Sequence, residues 1–427
     1  MTKFPIRVAI SLAVFWAVFT FASSTQTQSH LPEQVFLHCL KSSNDPNITE
    51  VVYTPEHPDF LSVLNFYIQN SRFLNNKQTP KPKLIVAPSK GSEVQTVIKC
   101  GKMSSLQIRI RSGGHDFEGS SYISDLVDVP EKVASFMVSR TLVENAVQLV
   151  HKAQSVSLTL PLEIYFSIKF MTVLSNQTNK PTVEATFVCT YRGAGGITEL
   201  LSIMDRKFPE LGVTKDDIFE MLWIQFVPFH NSYPIDDYVH YLTSRIPPSK
   251  PYFSAKADFV RDPVSETGVQ GLMNKLLEVP LGIGQMEWTF WGGGIMDKIP
   301  ESEIAFPHRG YLFIVFEVVY WNKDDTSATI EERIDWFRGF RREFGRYVPE
   351  NPRPAYADYR DHDLGLNRPD GTTTVEEARK SWGGPYFGGN FDRLVRVKSV
   401  VDPENLFRNE QGFPVIELPS SQCQLTS

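Results

Sequence analysis

The chain has 427 residues, of which 41% are hydrophobic and 22% charged, with a formal net charge of −6. That is enough apolar material for two domains with separate cores, and it excludes a disordered chain. The basic residues, 43 against 49 acidic ones, are scattered rather than striped, so nucleic acid is excluded as a partner.

Lys3 and Arg7 precede an apolar run from Val8 to Phe21, broken by Ser11 and Thr20 and followed by the small, polar Ala22-Ser23-Ser24-Thr25. This is the layout of a cleaved secretory signal, placed at residues 1–28. The run is too short to cross a bilayer, and no later segment reaches the roughly 18 consecutive apolar residues that a membrane helix needs. A secreted, soluble monomer is expected, with no membrane partner. The sequons Asn47-Ile48-Thr49 and Asn176-Gln177-Thr178 mark Asn47 and Asn176 as glycan acceptors in that compartment.

The four cysteines, Cys39, Cys100, Cys189 and Cys423, are too few for a disulfide-scaffolded mini-protein, but an oxidising compartment favours one bridge. Cys39 and Cys100 lie on helix-patterned segments, and joining them would contribute roughly 4 kcal/mol in the chain-entropy model. Four buried free thiols is the alternative.

Val35, Phe36, Cys39 and Leu40 predict a short helix over 31–40, and Leu84-Ile85-Val86 a strand. Ser89 or Ser92 can cap a helix carrying Val94, Val97 and Ile98. Leu106, Ile108 and Ile110 then alternate with polar residues as a second strand, which completes an α/β unit. Its end is the glycine loop Arg111-Ser112-Gly113-Gly114-His115. Paired glycines at a strand end let backbone N–H groups approach and cradle an anion such as pyrophosphate, although an ordinary tight turn has the same pattern. Further on, strands are expected over Ile164–Val173, Ala185–Tyr191 and Gly310–Trp321. A helix is expected from Ala328 to Tyr347, with Ile330, Ile334, Phe337, Phe340 and Phe344 as a core stripe. Pro349, Pro352 and Pro354 mark a join to the C-terminal segment. His308 and Asp361-His362-Asp363 lack a recognised ligand spacing, so no metal site is expected.

The stretch from Pro82 to Ser124, with Ile108-Arg109-Ile110-Arg111-Ser112-Gly113-Gly114-His115-Asp116 at its heart, resembles the start of the flavin domain of plant berberine bridge enzyme-like oxidases. Trp288–Met296, Phe306-Pro307-His308-Arg309-Gly310, Ala355–Gly365, Asn390-Phe391-Asp392-Arg393-Leu394 and Asp402-Pro403-Glu404-Asn405-Leu406-Phe407-Arg408 resemble that family's C-terminal half, in the same order. The resemblance implies a mixed α+β (α/β) chain with two parts. A truncated two-lobed FAD-binding domain of the PCMH or vanillyl-alcohol-oxidase type would occupy 31–125 together with 355–420. A substrate domain of antiparallel sheet covered by helices would occupy 131–350, and the berberine-type segment 355–415.

It further implies FAD held covalently through His115, with Arg111, Ser112, Gly113, Gly114 and Asn390 lining its site. Tyr359 and Glu317 would be the catalytic pair, an alcohol, phenol or carbohydrate the substrate, and dioxygen the acceptor, with release of hydrogen peroxide. Removing a hydride from a carbinol carbon requires that a neighbouring oxygen lose its proton, which a phenolate or carboxylate can accept. The chain departs from the family pattern after Asp125. It passes through Leu126–Pro130 directly to Glu131–Gln154, which resembles the opening of the substrate domain, without the second glycine-rich cradle or its cysteine. A catalytically inactive, shortened secreted member is therefore the alternative reading.

Overall fold

The computed structural model describes residues 31–43, 45, 47–66, 81–104, 106, 108, 130–230, 235–239, 251–292, 294 and 296–418. The expected signal segment, the glycine loop 111–115, the junction at Asp125 and Cys423 lie outside them. The chain divides into two units. One is Met1–Ser124, Arg360–Gly384 and Asn390–Ser427, and the other is Asp125–Tyr359 and Pro385–Gly389. No described helix is long and apolar enough to cross a membrane.

In the first unit, α1 (Pro32–Lys41), α2 (Phe60–Phe66) and α3 (Gly91–Met103) accompany a two-stranded antiparallel sheet of β1 (Val52–Tyr53) and β2 (Ile85–Val86). Phe36 and Leu40 of α1 and Val97 of α3 bury their side chains in one cluster with Leu84, Val86, Leu106 and Ile108. A disulfide joins Cys39 to Cys100 across the same contact, with Cα atoms 5.5 Å apart. The strand expected from Leu84 is shorter by one residue and pairs with Val52–Tyr53, a partner too short to show a period. Of the second expected strand, Ile108 is described, forming a parallel bridge to Phe407. The Asp402–Phe407 motif is a fastening. The Asp402 carboxylate accepts from the backbone N–H groups of Leu406 and Phe407, both at 2.9 Å, and pairs with Lys398. Asn405 there takes the left-handed conformation, φ 50°. Trp382, Phe391 and Phe413 pack ring on ring nearby, and Gly383 is forced by that packing, since a Cβ would lie 2.2 Å from the Phe391 ring.

The second unit is a seven-stranded antiparallel sheet in the order β6-β3-β5-β4-β8-β9-β7. The strands are β3 (Lys132–Thr141), β4 (Ile164–Leu174), β5 (Pro181–Tyr191), β6 (Ile218–Leu222), β7 (Tyr252–Val260), β8 (Gly284–Phe290) and β9 (Phe313–Trp321). Its helices are α4 (Ala146–Ser157), α5 (Gly196–Lys207), α6 (Trp223–His230), α7 (Glu266–Leu276) and α8 (Ser327–Phe344). Strand β8 shows how the sequence builds the layers. Gly284, Met286, Trp288 and Phe290 are buried while Gln285, Glu287 and Thr289 alternate with them on the other face. The apolar face carries the core, where Trp288 stacks on Phe313 at 4.4 Å and packs against Phe170 at 5.3 Å, with Leu272 and Met273 of α7 and Phe340 and Phe344 of α8 in the same cluster.

Helix α8 ends at Phe344 and continues as a 3₁₀ turn, Gly345–Tyr347. Phe337, Phe340 and Phe344 are its buried stripe, and Ile330 and Ile334 pack on a neighbouring cluster with Trp321. Its N-cap is Thr326, whose hydroxyl accepts from the Thr329 N–H at 3.2 Å. Thr326→Ala is expected to cost about 1 kcal/mol, seen as a lower urea midpoint with an unchanged slope.

Candidate functional site on the polar face of the large sheet

The pleat sends successive side chains to opposite faces, so the cross-strand registers state which residues share a surface. Lys169 of β4 is registered with Glu287 of β8, and Glu287 with Phe316 of β9. Ser167 is registered with Thr289, and Tyr165 lies one step further along β4 on the same face. Tyr356 and Tyr359, within the second unit, lie against this face. Tyr359 sets its ring 5.4 Å from Phe316 and 5.1 Å from Tyr356. A turn closed by Tyr359 N–H donating to Tyr356 O at 3.0 Å fixes the pair.

Burial shifts Tyr359, Tyr165 and Glu287. The Tyr359 phenol is pushed up, by burial first, then by the negative charges of Glu287 and Asp358. Tyr165 is pushed up to about 12 by burial and by Glu287, while the hydroxyls of Ser167 and Thr289 pull the other way. Glu287 is raised by its own burial and held down in part by the Lys169 ammonium and by the Ser167 and Tyr165 hydroxyls. Both phenols are therefore neutral near neutral pH, and the carboxylate is the nearest proton acceptor among them.

The expectation for Glu317 is corrected. Phe316 faces Tyr359, so its neighbour Glu317 points to the opposite, helix-covered face, where it is 0% exposed. There the Arg341 guanidinium donates from Nε to Glu317 at 3.1 Å and from Nη2 to Asp258 at 3.2 Å, and Arg353 donates from Nε to Asp258 at 2.7 Å. Glu317 belongs to an ion cluster under α8 and does not share a surface with Tyr359. The carboxylate that does is Glu287, whose place was signalled by the alternation of Gln285, Glu287 and Thr289 with the buried Met286, Trp288 and Phe290.

Asn390 is buried, 4% exposed, at the start of the helix α9 (Phe391–Val401) in the first unit. Arg111, Ser112, Gly113, Gly114 and His115 are outside the described residues. His308 has a packing role. Its ring stacks on Phe259 at 4.1 Å, Nε2 bonds Ala355 O at 2.9 Å, and burial lowers its pKa to about 4. Arg309 next to it donates to Ile299 O and to His308 O, both at 3.0 Å, so the Phe306–Gly310 motif ties loops together. Asn47 and Asn176 are both exposed. Cys189 is a buried free thiol, and burial pushes its pKa up.

Beside Tyr165 the second unit contains a cavity of about 720 Å³, lined mainly by apolar and aromatic side chains, among them Leu160, Ile164, Trp223, Phe226 and Trp291. Gly292 lies on its wall because the chain there approaches another backbone closely, and a Cβ would meet Tyr311 O at 2.2 Å.

A family model described as "Berberine and berberine like" matches residues 355–414. The chain is 29% identical to berberine bridge enzyme-like 8 of Arabidopsis thaliana, an alignment that covers 96% of this chain and 100% of the relative. That alignment runs over 538 positions, so over a hundred of them have no residue in this 427-residue chain. Tetrahydroberberine oxidase of Argemone mexicana is 27% identical, over 93% of this chain and 94% of the relative. Among solved structures, a BBE-like protein from Arabidopsis thaliana superposes with a TM-score of 0.78 at 27% identity, covering 90% of this chain and 100% of that one. Phl p 4, a grass pollen allergen with glucose dehydrogenase activity, does so with a TM-score of 0.76 at 26% identity, covering 89% and 99%.

Proposed function

We propose that the chain, which is similar to the berberine and berberine-like family, is a secreted FAD-linked oxidoreductase that removes a hydride and a proton from a hydroxylated small molecule. The observation that carries the proposal is the shared surface of Tyr359 and Glu287, a buried phenol and a buried carboxylate on one sheet face. This donor set fits a flavin partner, because hydride removal from a carbinol carbon needs a proton acceptor, and a carboxylate with a raised pKa beside a phenol supplies one. His115 would hold the flavin covalently, with Arg111, Ser112, Gly113, Gly114 and Asn390 about it. When bound, the flavin would accept the hydride and pass the electron pair to dioxygen, giving hydrogen peroxide.

The residues of this chain handle the proton. The substrate O–H bonds to the Tyr359 oxygen, and its proton passes to the Glu287 carboxylate, whose charge acts on Tyr359 and which the Ser167 and Tyr165 hydroxyls hold by hydrogen bonds. Lys169, registered opposite, favours the ionised form of that carboxylate against the effect of burial. The helix-side cluster of Glu317, Asp258, Arg341 and Arg353 takes no part. Exposed Asn47 and Asn176 suit the secreted form.

The test is purification of the full secreted chain from a plant host. The expected result is flavin absorbance near ~450 nm and a flavin mass on the peptide that contains His115. A folded, colourless protein that takes up no added FAD would end the proposal.

A further inference from the structure

The disulfide that ties α1 to α3 is reachable at one of its two sulfurs. Cys100 is 1% exposed, in the cluster with Phe36, Leu40 and Val97, whereas Cys39 is half-buried. A thiolate from solvent therefore has to attack Cys39 Sγ, forming a bond there and expelling the Cys100 thiolate. Access to that one sulfur sets how fast the bridge is reduced.

Another sulfur lies against it. Sδ of Met103, the last residue of α3, is 3.8 Å from Cys39 Sγ, a van der Waals contact. Met103 is itself 63% exposed, while the other described methionines are buried or half-buried. Oxidation of a methionine follows its exposure to the oxidant, so Met103 is the thioether that peroxide reaches first. The step needs no further reactant. The thioether sulfur gives an electron pair to one peroxide oxygen, an S–O bond forms as the O–O bond breaks, and the products are the sulfoxide and water.

We propose that Met103 is a peroxide-modification site that governs the Cys39–Cys100 bridge: as a thioether it covers the reachable sulfur, and as a sulfoxide it leaves it. The cause is a change in polarity. A thioether packs without penalty against the disulfide and its apolar surroundings, but a sulfoxide oxygen is a strong hydrogen-bond acceptor that would lose water there. At the end of a helix and mostly in solvent, the oxidised side chain turns outward without disturbing α3. Cys39 Sγ is then open to attack. Peroxide thus converts a protected bridge into one that a thiol can open, which undoes the covalent tie between α1 and α3. The inference goes beyond the oxidoreductase reading and does not need it, although the reaction proposed above would be one source of the peroxide.

The experiment treats the full secreted chain with hydrogen peroxide and then with dithiothreitol. Peptide mass mapping is expected to show the Met103 sulfoxide ahead of those of the buried and half-buried methionines. Dithiothreitol should then reduce the bridge, read as alkylated Cys39 and Cys100 peptides, roughly three- to tenfold faster than in untreated protein. Met103→Leu keeps an apolar cover that peroxide does not change, so its bridge should open slowly before and after treatment. Met103→Ala removes the cover, and its bridge should open fast in both. The two variants together separate uncovering from general oxidative damage. An unchanged reduction rate in parent protein that carries the Met103 sulfoxide overturns the proposal, as does a Met103→Leu bridge that peroxide speeds up equally, or oxidation of the half-buried methionines as fast as Met103. The first of these needs no variant and holds whether or not the variants fold. A colourless protein that behaves as expected would leave this inference standing while the oxidoreductase reading fails.

Discussion

Tyr359→Phe is expected to lower kcat by roughly 10²- to 10⁴-fold, the range of general acid–base contributions, with little change in flavin absorbance. The substitution keeps the ring that packs on Phe316 and Tyr356 and removes the oxygen to which the substrate O–H bonds. Glu287→Gln should show a related loss with a different signature. Because burial raises the Glu287 pKa above the usual carboxylate value, kcat/KM of the parent chain should fall as pH drops through that raised pKa. In Glu287→Gln this acid limb should disappear. An acid limb that survives the substitution would assign the proton to another group.

Arg341→Met is expected to destabilise the chain by about 3–5 kcal/mol, measured by urea unfolding. Asp258 and Glu317 are both 0% exposed, and Arg341 is the guanidinium that reaches both. Its loss leaves Asp258 with Arg353 and leaves Glu317 without the cation that bonds it. Glu317 also sets a dependence on pH. Burial, then the Asp258 charge, pushes its pKa from 4.5 up to about 8, so the folded state holds a proton that the unfolded state releases. That contribution is complete below pH 4.5 and is lost as pH rises towards 8. Glu317→Gln, which mimics the protonated form, should match the parent at pH 4.5, exceed its melting temperature near pH 8, and turn over normally. A loss of turnover in Glu317→Gln with Tyr359 intact would return Glu317 to the reacting surface.

Much of the second unit is legible from periodicity, because its elements are long and their two faces differ. The helix under Phe337, Phe340 and Phe344 and the strands around Ser167 and Val188 lie where alternation and helical spacing put them. Glu317 fails for a specific reason. Strand β9 reads Phe-Ile-Val-Phe-Glu-Val-Val-Tyr-Trp, apolar on both faces, so period two cannot tell which face the carboxylate takes. That was decided by distant partners, Tyr359 on one side and Arg341 on the other. Glu287 was visible as a polar position in an alternating strand, but the residues that cover it arrive some seventy positions later. Strand β1 pairs with β2 over two residues each, below any periodic signal.

Strand β7 ends the ladder of the large sheet, a place where an uncovered backbone invites a strand from another molecule, but its residues from Phe253 to Val260 are 9% exposed or less. This strand carries Lys256 and Asp258 on its inner side, 5% and 0% exposed. An incoming chain that prised the strand loose to extend the ladder would have to strip both charges from their partners in the interior. The charge cluster that makes the fold sensitive to pH thus also opposes fibre-like self-association through this strand.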